Sequence, residues 1–216
     1  GYASYRNYEG KARIELEHQL SSVAVLKVNE LLQWRKERLG EGDVLFQNPA
    51  FIALVRSFFA SPANADAQRQ LLNWLEKFQA ALGYDQIRLM DTQATRLSVP
   101  GGLNPASSDT VRMAAEVLRS GRVVLQDFYK HEINGRVYLQ VMIPLFDELN
   151  AGRPLGVVEL RVDPSVYLYP LLQRWPMPSQ TAETLLVRRE GNEVTFLNEL
   201  RFQTNAAVTL RIPLDQ

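Results

Sequence analysis

The chain has 216 residues, of which 46% are hydrophobic and 22% charged, with 24 basic and 24 acidic side chains. This composition is typical of a globular protein that is long enough for one large domain, or for one domain and a smaller partner. The balanced charge gives no support to a nucleic-acid partner, and the absence of cysteine excludes disulfides, thiolate nucleophiles and cysteine-ligated metals.

The first part of the chain predicts three helices. Residues Tyr5–Leu39 contain no proline, and their apolar positions recur at steps of three to five, which predicts one helix of more than 30 residues. Its first half is polar nearly all round, so it either projects into solvent or pairs with a copy of itself. The segment Gly40–Asp43, with two glycines, is predicted to end this helix. Two shorter amphipathic helices follow at residues 50–60 and 65–82.

The middle of the chain predicts five antiparallel strands. Apolar and polar residues alternate in each of them, so each strand has one face for a core. A helix at 108–120 separates the second strand from the third, and we expect residues 101–120 to cover the polar face of the sheet. Helices followed by strands favour the α+β fold class. The predicted strands are Tyr84–Asp91, Thr95–Pro100, Val123–Glu132, Val137–Phe146 and Leu155–Asp163.

The dipeptide Asn134-Gly135 lies between the third and fourth strands. It is the dipeptide most favoured where both residues of a two-residue turn need positive φ, and such a turn fixes the register of its hairpin. The predicted pairs are His131 with Tyr138, Tyr129 with Gln140, and Asp127 with Met142.

The last part of the chain predicts a second, smaller β unit. Three prolines between residues 170 and 178 indicate a linker. Beyond it, residues 183–189 and 193–200 predict a hairpin around Gly191-Asn192, and residues 208–214 a third strand. About 35 residues of sheet are too few to be stable alone, so we expect this unit to dock on the first domain or to continue beyond the end of the chain. The predicted division is a long helix and loop (1–47), a first domain (48–168), a linker (169–180), and the start of a second, truncated module (181–216).

The polar faces of the predicted strands carry the candidate ligand contacts. The set combines donors, acceptors and both charge signs, as small-ligand pockets do. Arginines bind carboxylates with two parallel hydrogen bonds, so an organic acid is the first ligand we expect. An antiparallel sheet also commonly leaves one polar face in water, and that alternative stays open. Glu159 shares this face and is expected to pair with Arg161. The candidates are Arg88, Arg96, Asp127, Tyr129, His131, Tyr138, Gln140 and Arg161.

Motifs for catalysis are missing from the sequence. It has no glycine-rich phosphate loop, no serine nucleophile elbow and no His-Glu zinc pair, and its two histidines, His18 and His131, are far apart. We therefore expect no enzyme activity, no metal and no cofactor. No run of 18 apolar residues is present either, so we expect no membrane-spanning helix within the chain.

The order of the elements resembles the double Cache (PDC-type) sensor domains, which are extracytoplasmic input modules of bacterial transmembrane receptors. Residues 84–91 together with Arg96 resemble the first hairpin of that family. Residues 154–160 resemble the last strand of its first module, and residues 181–189 with 196–200 resemble the entry of its second module. The resemblance covers most of the chain.

The resemblance implies a long N-terminal helix and a helical layer packed on a PAS-like five-stranded sheet. It further implies the periplasmic sensor of an inner-membrane histidine kinase that binds a small molecule, forms a homodimer through the N-terminal helix and carries its kinase outside this chain. A diguanylate cyclase or chemoreceptor sensor, or a ligand-free dimerisation module, are the alternatives. The amino-acid-binding branch carries Arg-x-Trp-Tyr in its first module. This chain has no such string, so the resemblance does not imply a simple amino-acid ligand.

Overall fold

The computed structural model describes residues 2–91, 95–101, 106–150, 152–176 and 181–214, with the side chains of residues 2–9, 95 and 96 left outside this description. The helices are α1 (Tyr2–Phe46), α2 (Pro49–Ala60), α3 (Ala65–Leu82), α4 (Ser108–Ser120) and α5 (Leu168–Gln173), with a 3-10 turn at Glu148–Asn150. The strands are β1 (Gln86–Met90), β2 (Thr95–Val99), β3 (Val124–Lys130), β4 (Val137–Asp147), β5 (Arg153–Val162), β6 (Val187–Glu190), β7 (Glu193–Phe196) and β8 (Arg211–Pro213).

The first sheet has five antiparallel strands in the order β2-β1-β5-β4-β3, which confirms the predicted α+β fold class. Its apolar face packs against α1, α2 and α3 and forms the largest core cluster, which includes Phe51, Leu71, Ile87, Val141 and Leu160. Helix α4 packs on the opposite face. The sheet is therefore covered on both sides, and burial of apolar side chains on the α1–α3 side holds the domain together.

Helix α1 is longer than the sequence predicts, because it continues through Gly40 and Gly42 to Phe46. A Cβ atom at Gly42 would lie 2.7 Å from Val123 Cγ1 and 3.1 Å from Val141 Cγ1. Gly42 thus lets the helix approach the sheet closely. Tertiary packing here outweighs the helix propensity of glycine, which costs only about 1 kcal/mol per residue.

The packed part of α1 begins near Lys27. This lysine is buried, and its Nζ donates to the carbonyl oxygen of Leu171 in α5 at 2.8 Å. Trp34 and Leu45 continue the buried side of the helix toward its C-terminal end. Residues 10–22 are exposed, in keeping with the polar first half of the predicted helix.

The loop between β3 and β4 is longer than the predicted two-residue turn. The amide of His131 donates to the carbonyl oxygen of Arg136 at 2.8 Å, which leaves the four residues 132–135 in the loop. Gly135 has a φ of 67°, whereas Asn134 does not have a positive φ. A type I′ turn needs positive φ at both residues, so the predicted turn and its register are wrong.

The register of this hairpin follows from the longer loop. Tyr129 is opposite Tyr138, and Gln126 is opposite Gln140, with an irregularity between Gln126 and Tyr129. The extra residue changes the side to which the strand's side chains point. As a consequence Asp127, predicted opposite Met142, lies within this β-bulge and is exposed.

The small second sheet has the order β6-β7-β8, and its strands are shorter than predicted. Two contacts join this second unit to β3 of the first sheet. Arg188 Nη1 on β6 lies 3.1 Å from Asp127 Oδ2, and Thr209 Oγ1, before β8, accepts a hydrogen bond from Lys130 Nζ at 3.1 Å. Helix α5 occupies the first part of the segment predicted as a linker, and Tyr169 in that helix donates its hydroxyl to the Leu197 carbonyl oxygen at 2.6 Å.

Candidate ligand-binding site

Helix α4 covers one end of the polar face of the first sheet. Ala114 and Val117 on the helix pack on Met90, Met142 and Val157, one residue from each of the three central strands. The sequence places polar side chains two residues farther along each of these strands, on the same face. Residues 106–120 thus cover the apolar end of this face, whereas we expected residues 101–120 to cover its polar side chains, which lie beside the helix.

The centre of the polar end is an ion pair between β1 and β5. Arg88 and Glu159 are register partners, with 2% and 1% of their surface exposed, and Arg88 Nη1 lies 2.7 Å from Glu159 Oε2. Arg88 Nε and Glu159 Oε1 are buried without a hydrogen-bond partner. Burial raises the pKa of Glu159, although Arg88 acts in the opposite direction.

Arg161 forms the second ion pair of this face. Its Nε and Nη2 atoms lie 2.7 and 2.6 Å from Asp85 Oδ2, and its guanidinium carbon lies 4.5 Å from the centre of the Tyr138 ring. The predicted pairing of Arg161 with Glu159 is therefore wrong. Glu159 pairs with Arg88 on β1, and Arg161 pairs with Asp85 just before β1, because β1 lies directly beside β5 in the sheet.

A chain of hydrogen bonds continues the polar face across β4 and β3. Tyr129 donates its hydroxyl to Gln140 Oε1 at 2.9 Å, and Gln140 Nε2 donates to Gln126 Oε1. Burial and the Glu159 carboxylate raise the pKa of Tyr129, so its hydroxyl stays protonated at neutral pH and acts as a donor. On β1, Gln86 Nε2 donates to Ser98 Oγ at 2.9 Å, and Gln86 Oε1 is buried without a partner.

His131 lies at the loop end of the same face. It is 7% exposed, packs edge-on against Tyr138, and has no hydrogen-bond partner at either ring nitrogen. Burial lowers the pKa of His131, and the positive charges of Arg161 and Arg88 lower it further. The imidazole is therefore neutral at pH 7, and it offers one donor and one acceptor.

Six of the eight predicted site residues lie together on this face. We call the polar cluster the set Asp85, Gln86, Arg88, Tyr129, His131, Tyr138, Gln140, Glu159 and Arg161. Asp127 lies outside it and pairs with Arg188. The side chain of Arg96 falls outside the described residues. Sequence reasoning missed Gln86 and Asp85; Gln86 alternates with Arg88 on β1, and that period of two was the signal for it.

The polar cluster has the chemistry of a binding site for a small polar molecule. It offers buried donors and acceptors without partners, and buried polar groups are normally satisfied by protein, water or ligand. Within the part of the chain that the structure describes, no group of three or more His, Asp or Glu side chains is placed to hold a metal ion. Over the same residues, no helix combines the length and apolarity needed to span a membrane.

Comparison with known proteins gives the fold of the chain. No family model matches it, and neither does a curated protein. Among solved structures, it is similar to the ligand-binding domain of the amino acid chemoreceptor PctC of Pseudomonas aeruginosa PAO1 in complex with GABA, with 14% identity and a TM-score of 0.58 over 90% of this chain and 80% of that one. The ligand-binding domain of the Pseudomonas fluorescens chemoreceptor CtaA in complex with L-serine is 14% identical, with a TM-score of 0.57 over 91% of this chain and 77% of that one.

The sensor domain of the V. cholerae histidine kinase DctB is 15% identical, with a TM-score of 0.56 over 73% of this chain. The chain spans 59% of that domain. All three structures are ligand-binding or sensor domains of receptors. The chain therefore has the fold of the PDC-type (double Cache) sensor domains, as its sequence predicts.

Proposed function

We propose that this chain is the extracytoplasmic ligand-sensing domain of a bacterial transmembrane receptor, and that the polar cluster binds the ligand. The observation that carries this proposal is the Arg88–Glu159 pair, which is buried with two atoms left without partners. Such a pair contributes little to the free energy of unfolding. Its Arg88 Nε lacks an acceptor and its Glu159 Oε1 lacks a donor, and a ligand supplies both. PctC and CtaA, which share the fold, hold GABA and L-serine.

The proposed ligand is an organic acid, because Arg88 and Arg161 present guanidinium groups to the same face of the sheet. The proposed parent protein is a histidine kinase, which the likeness to DctB supports. A chemoreceptor is the second candidate, supported by PctC and CtaA. In either case this chain is a sensor and not an enzyme, and the output domain belongs to the rest of the receptor.

The proposed route of the signal is helix α1. Asp85 binds Arg161 on the face of the sheet that carries the polar cluster. The preceding residue, Tyr84, points to the opposite face, where its hydroxyl donates to Glu41 of α1. Arg38 Nη2, also on α1, lies 2.6 Å from Glu41 Oε1, and the guanidinium carbon of Arg38 lies 5.4 Å from the centre of the Tyr84 ring. Two neighbouring residues thus connect the ligand face to the helix, so a shift of Arg161 on binding moves α1.

The proposed homodimer forms through the outer side of α1. An apolar stripe on that side is exposed, and its members are separated by 11, 3 and 4 residues, which places them on one side of a helix at 100° per residue. This stripe lies opposite the buried side that holds Lys27 and Trp34. Exposed apolar stripes of this kind mark helix-pairing surfaces. The stripe consists of Ile14, Val25, Val28 and Leu32.

The proposed division of the chain keeps the predicted boundaries. Residues 1–47 form the stalk helix and loop, residues 48–168 the membrane-distal PAS-like module, and residues 181–216 the start of a second module after the connection at 169–180. The periplasm is the proposed location, with the membrane anchor in the rest of the receptor.

A ligand screen tests the proposed function. Thermal-shift measurements against organic acids, amino acids and amines, confirmed by calorimetry, are expected to identify a ligand that Arg88→Gln no longer binds. Arg112→Gln, on the exposed side of α4, is the matched control. Asp127→Asn, outside the polar cluster, is also expected to keep binding. Binding by no compound class would contradict the proposal and favour the ligand-free dimerisation module.

A further inference from the structure

We propose that Glu159 sets the charge selectivity of the site, so that the ligand is a monocarboxylate with a hydrogen-bond donor beside its acid group, and dicarboxylates are rejected. This inference rests on the proposed ligand-sensing function. It narrows the ligand from organic acids in general to hydroxy, amido or amino monocarboxylates. Glu159 acts here as a specificity-determining residue, through the one carboxylate oxygen that Arg88 leaves unused.

The described side chains of the polar cluster carry no unpaired positive charge. Both arginines described in the polar cluster already have a carboxylate partner, Arg88 in Glu159 and Arg161 in Asp85. With His131 neutral and Glu159 ionised in its 2.7 Å contact with Arg88, the described charges of the cluster sum to zero. A ligand with two negative charges would lose its hydration without finding an unpaired cation among these side chains, which is costly in a buried site. A ligand with at most one net negative charge avoids most of this cost.

The buried atoms without partners include both a donor and acceptors. Arg88 Nε is a donor that lacks an acceptor, whereas Glu159 Oε1 and Gln86 Oε1 are acceptors that lack a donor. A carboxylate on the ligand accepts a hydrogen bond from Arg88 Nε but has no hydrogen to donate to the two acceptor oxygens. A hydroxyl, amide or ammonium group on the same ligand satisfies an acceptor, and a site with buried hydrogen-bonding groups strongly rejects analogues that leave them unpaired.

The groups that surround Glu159 do not change this balance. Arg88 lies beside it on β1, Met142 on β4, and Arg161 two residues along on β5. Tyr129 on β3 is neutral at physiological pH. The charged residues of α4, the helix over this face, are exposed at Asp109, Arg112, Glu116 and Arg119. Glu159 is thus the acid group that neutralises the central arginine of the cluster.

A length-matched ligand series tests the inference. Calorimetry at neutral pH would compare C3 to C5 2-hydroxy acids, 2-amino acids, plain monocarboxylates and dicarboxylates, first with the unmodified chain and then with Glu159→Gln. We expect at least one donor-bearing acid to bind the unmodified chain about tenfold or more tightly than the plain acid and the dicarboxylate of its length. In Glu159→Gln the preference over the dicarboxylate is expected to fall by at least about tenfold, because a cation is freed.

The controls separate selectivity from folding and from function. Glu116→Gln on α4 makes the same chemical change at an exposed position and is expected to keep the preference. If circular dichroism shows that Glu159→Gln does not fold, Glu159→Asp keeps the buried charge but withdraws the carboxylate from the site, and it is expected to lose most of the preference for the hydroxy acid over the plain acid.

The outcomes distinguish the two proposals. Equal binding of dicarboxylates by the unmodified chain, or an unchanged preference in Glu159→Gln, overturns the selectivity role and leaves the sensing function intact. Binding of a ligand without any acid group also overturns the selectivity role and leaves the sensing function intact. No binding in this series or in the wider screen overturns both proposals.

Discussion

The Arg88–Glu159 pair gives the sharpest test of whether the polar cluster exists for binding or for stability. Glu159→Leu leaves the Arg88 guanidinium buried with no carboxylate beside it. Removal of one member of a buried ion pair costs about 3–5 kcal/mol of unfolding free energy, because the remaining charge has lost its compensation. We therefore expect Glu159→Leu to be destabilised by about that amount.

The double variant Arg88→Met/Glu159→Leu is expected to behave differently. The pair has one 2.7 Å contact, and the unpartnered Nε and Oε1 atoms each carry a desolvation cost of about 1–3 kcal/mol. Replacing both residues removes those costs and adds apolar contacts beside Met142. We expect the double variant to match the unmodified chain or to exceed it by about 1–2 kcal/mol, since such replacements are often neutral or stabilising.

Urea unfolding followed by circular dichroism measures both effects through the midpoint and slope of the transition. The ligand identified by screening is expected not to bind the double variant. Recovery of stability together with loss of binding would show that the pair is kept for recognition. A double variant as unstable as Glu159→Leu would refute this reasoning and make the pair a structural element.

Four further predictions concern other parts of the molecule. Burial lowers the pKa of His131 below its ordinary value of 6.5, so the unfolded chain binds this proton more readily and the free energy of unfolding falls as the pH drops below about 6.5; His131→Gln should flatten this part of the pH curve of stability. Gly156→Ala should cost about 2–4 kcal/mol in urea unfolding, because its Cβ would overlap the carbonyl oxygen of the neighbouring strand β1. Val28→Asp should abolish concentration-dependent sedimentation if α1 pairs two copies, and a strict monomer before mutation would contradict the homodimer. Tyr84→Phe should leave ligand affinity unchanged and remove the ligand-induced change in hydrogen exchange of residues 34–46; a preserved change would exclude this route.

The strands of the first sheet were predictable because each has one apolar face, and a period of two leaves little choice of side. Arg88, Tyr138, Gln140 and Arg161 could be assigned to one face for that reason. The ion-pair partners of the two arginines could not be predicted in this way. Arg88 and Glu159 are 71 residues apart, and which acid meets which arginine depends on β1 lying beside β5, an order that sequence alternation does not determine.

Two predictions of local structure are wrong, the end of helix α1 and the turn between β3 and β4. Helix α1 was predicted to end at Gly40 because glycine is a poor helix former, but close packing on the sheet at Gly42 requires a residue without a side chain. The β3–β4 hairpin was predicted from the most favoured turn for Asn134-Gly135. The observed loop is longer, and the bulge before Tyr129 removes Asp127 from the face that carries the polar cluster.

The length of α1 has a mechanical consequence. About 25 residues of α1 precede the first buried contact at Lys27, and at 1.5 Å per residue they form an arm of roughly 37 Å. A tilt of about 5° at the packed end would displace the tip of this arm by roughly 3 Å. In the proposed signalling route, α1 would act as a lever that magnifies small rearrangements around Arg161 at its N-terminal end.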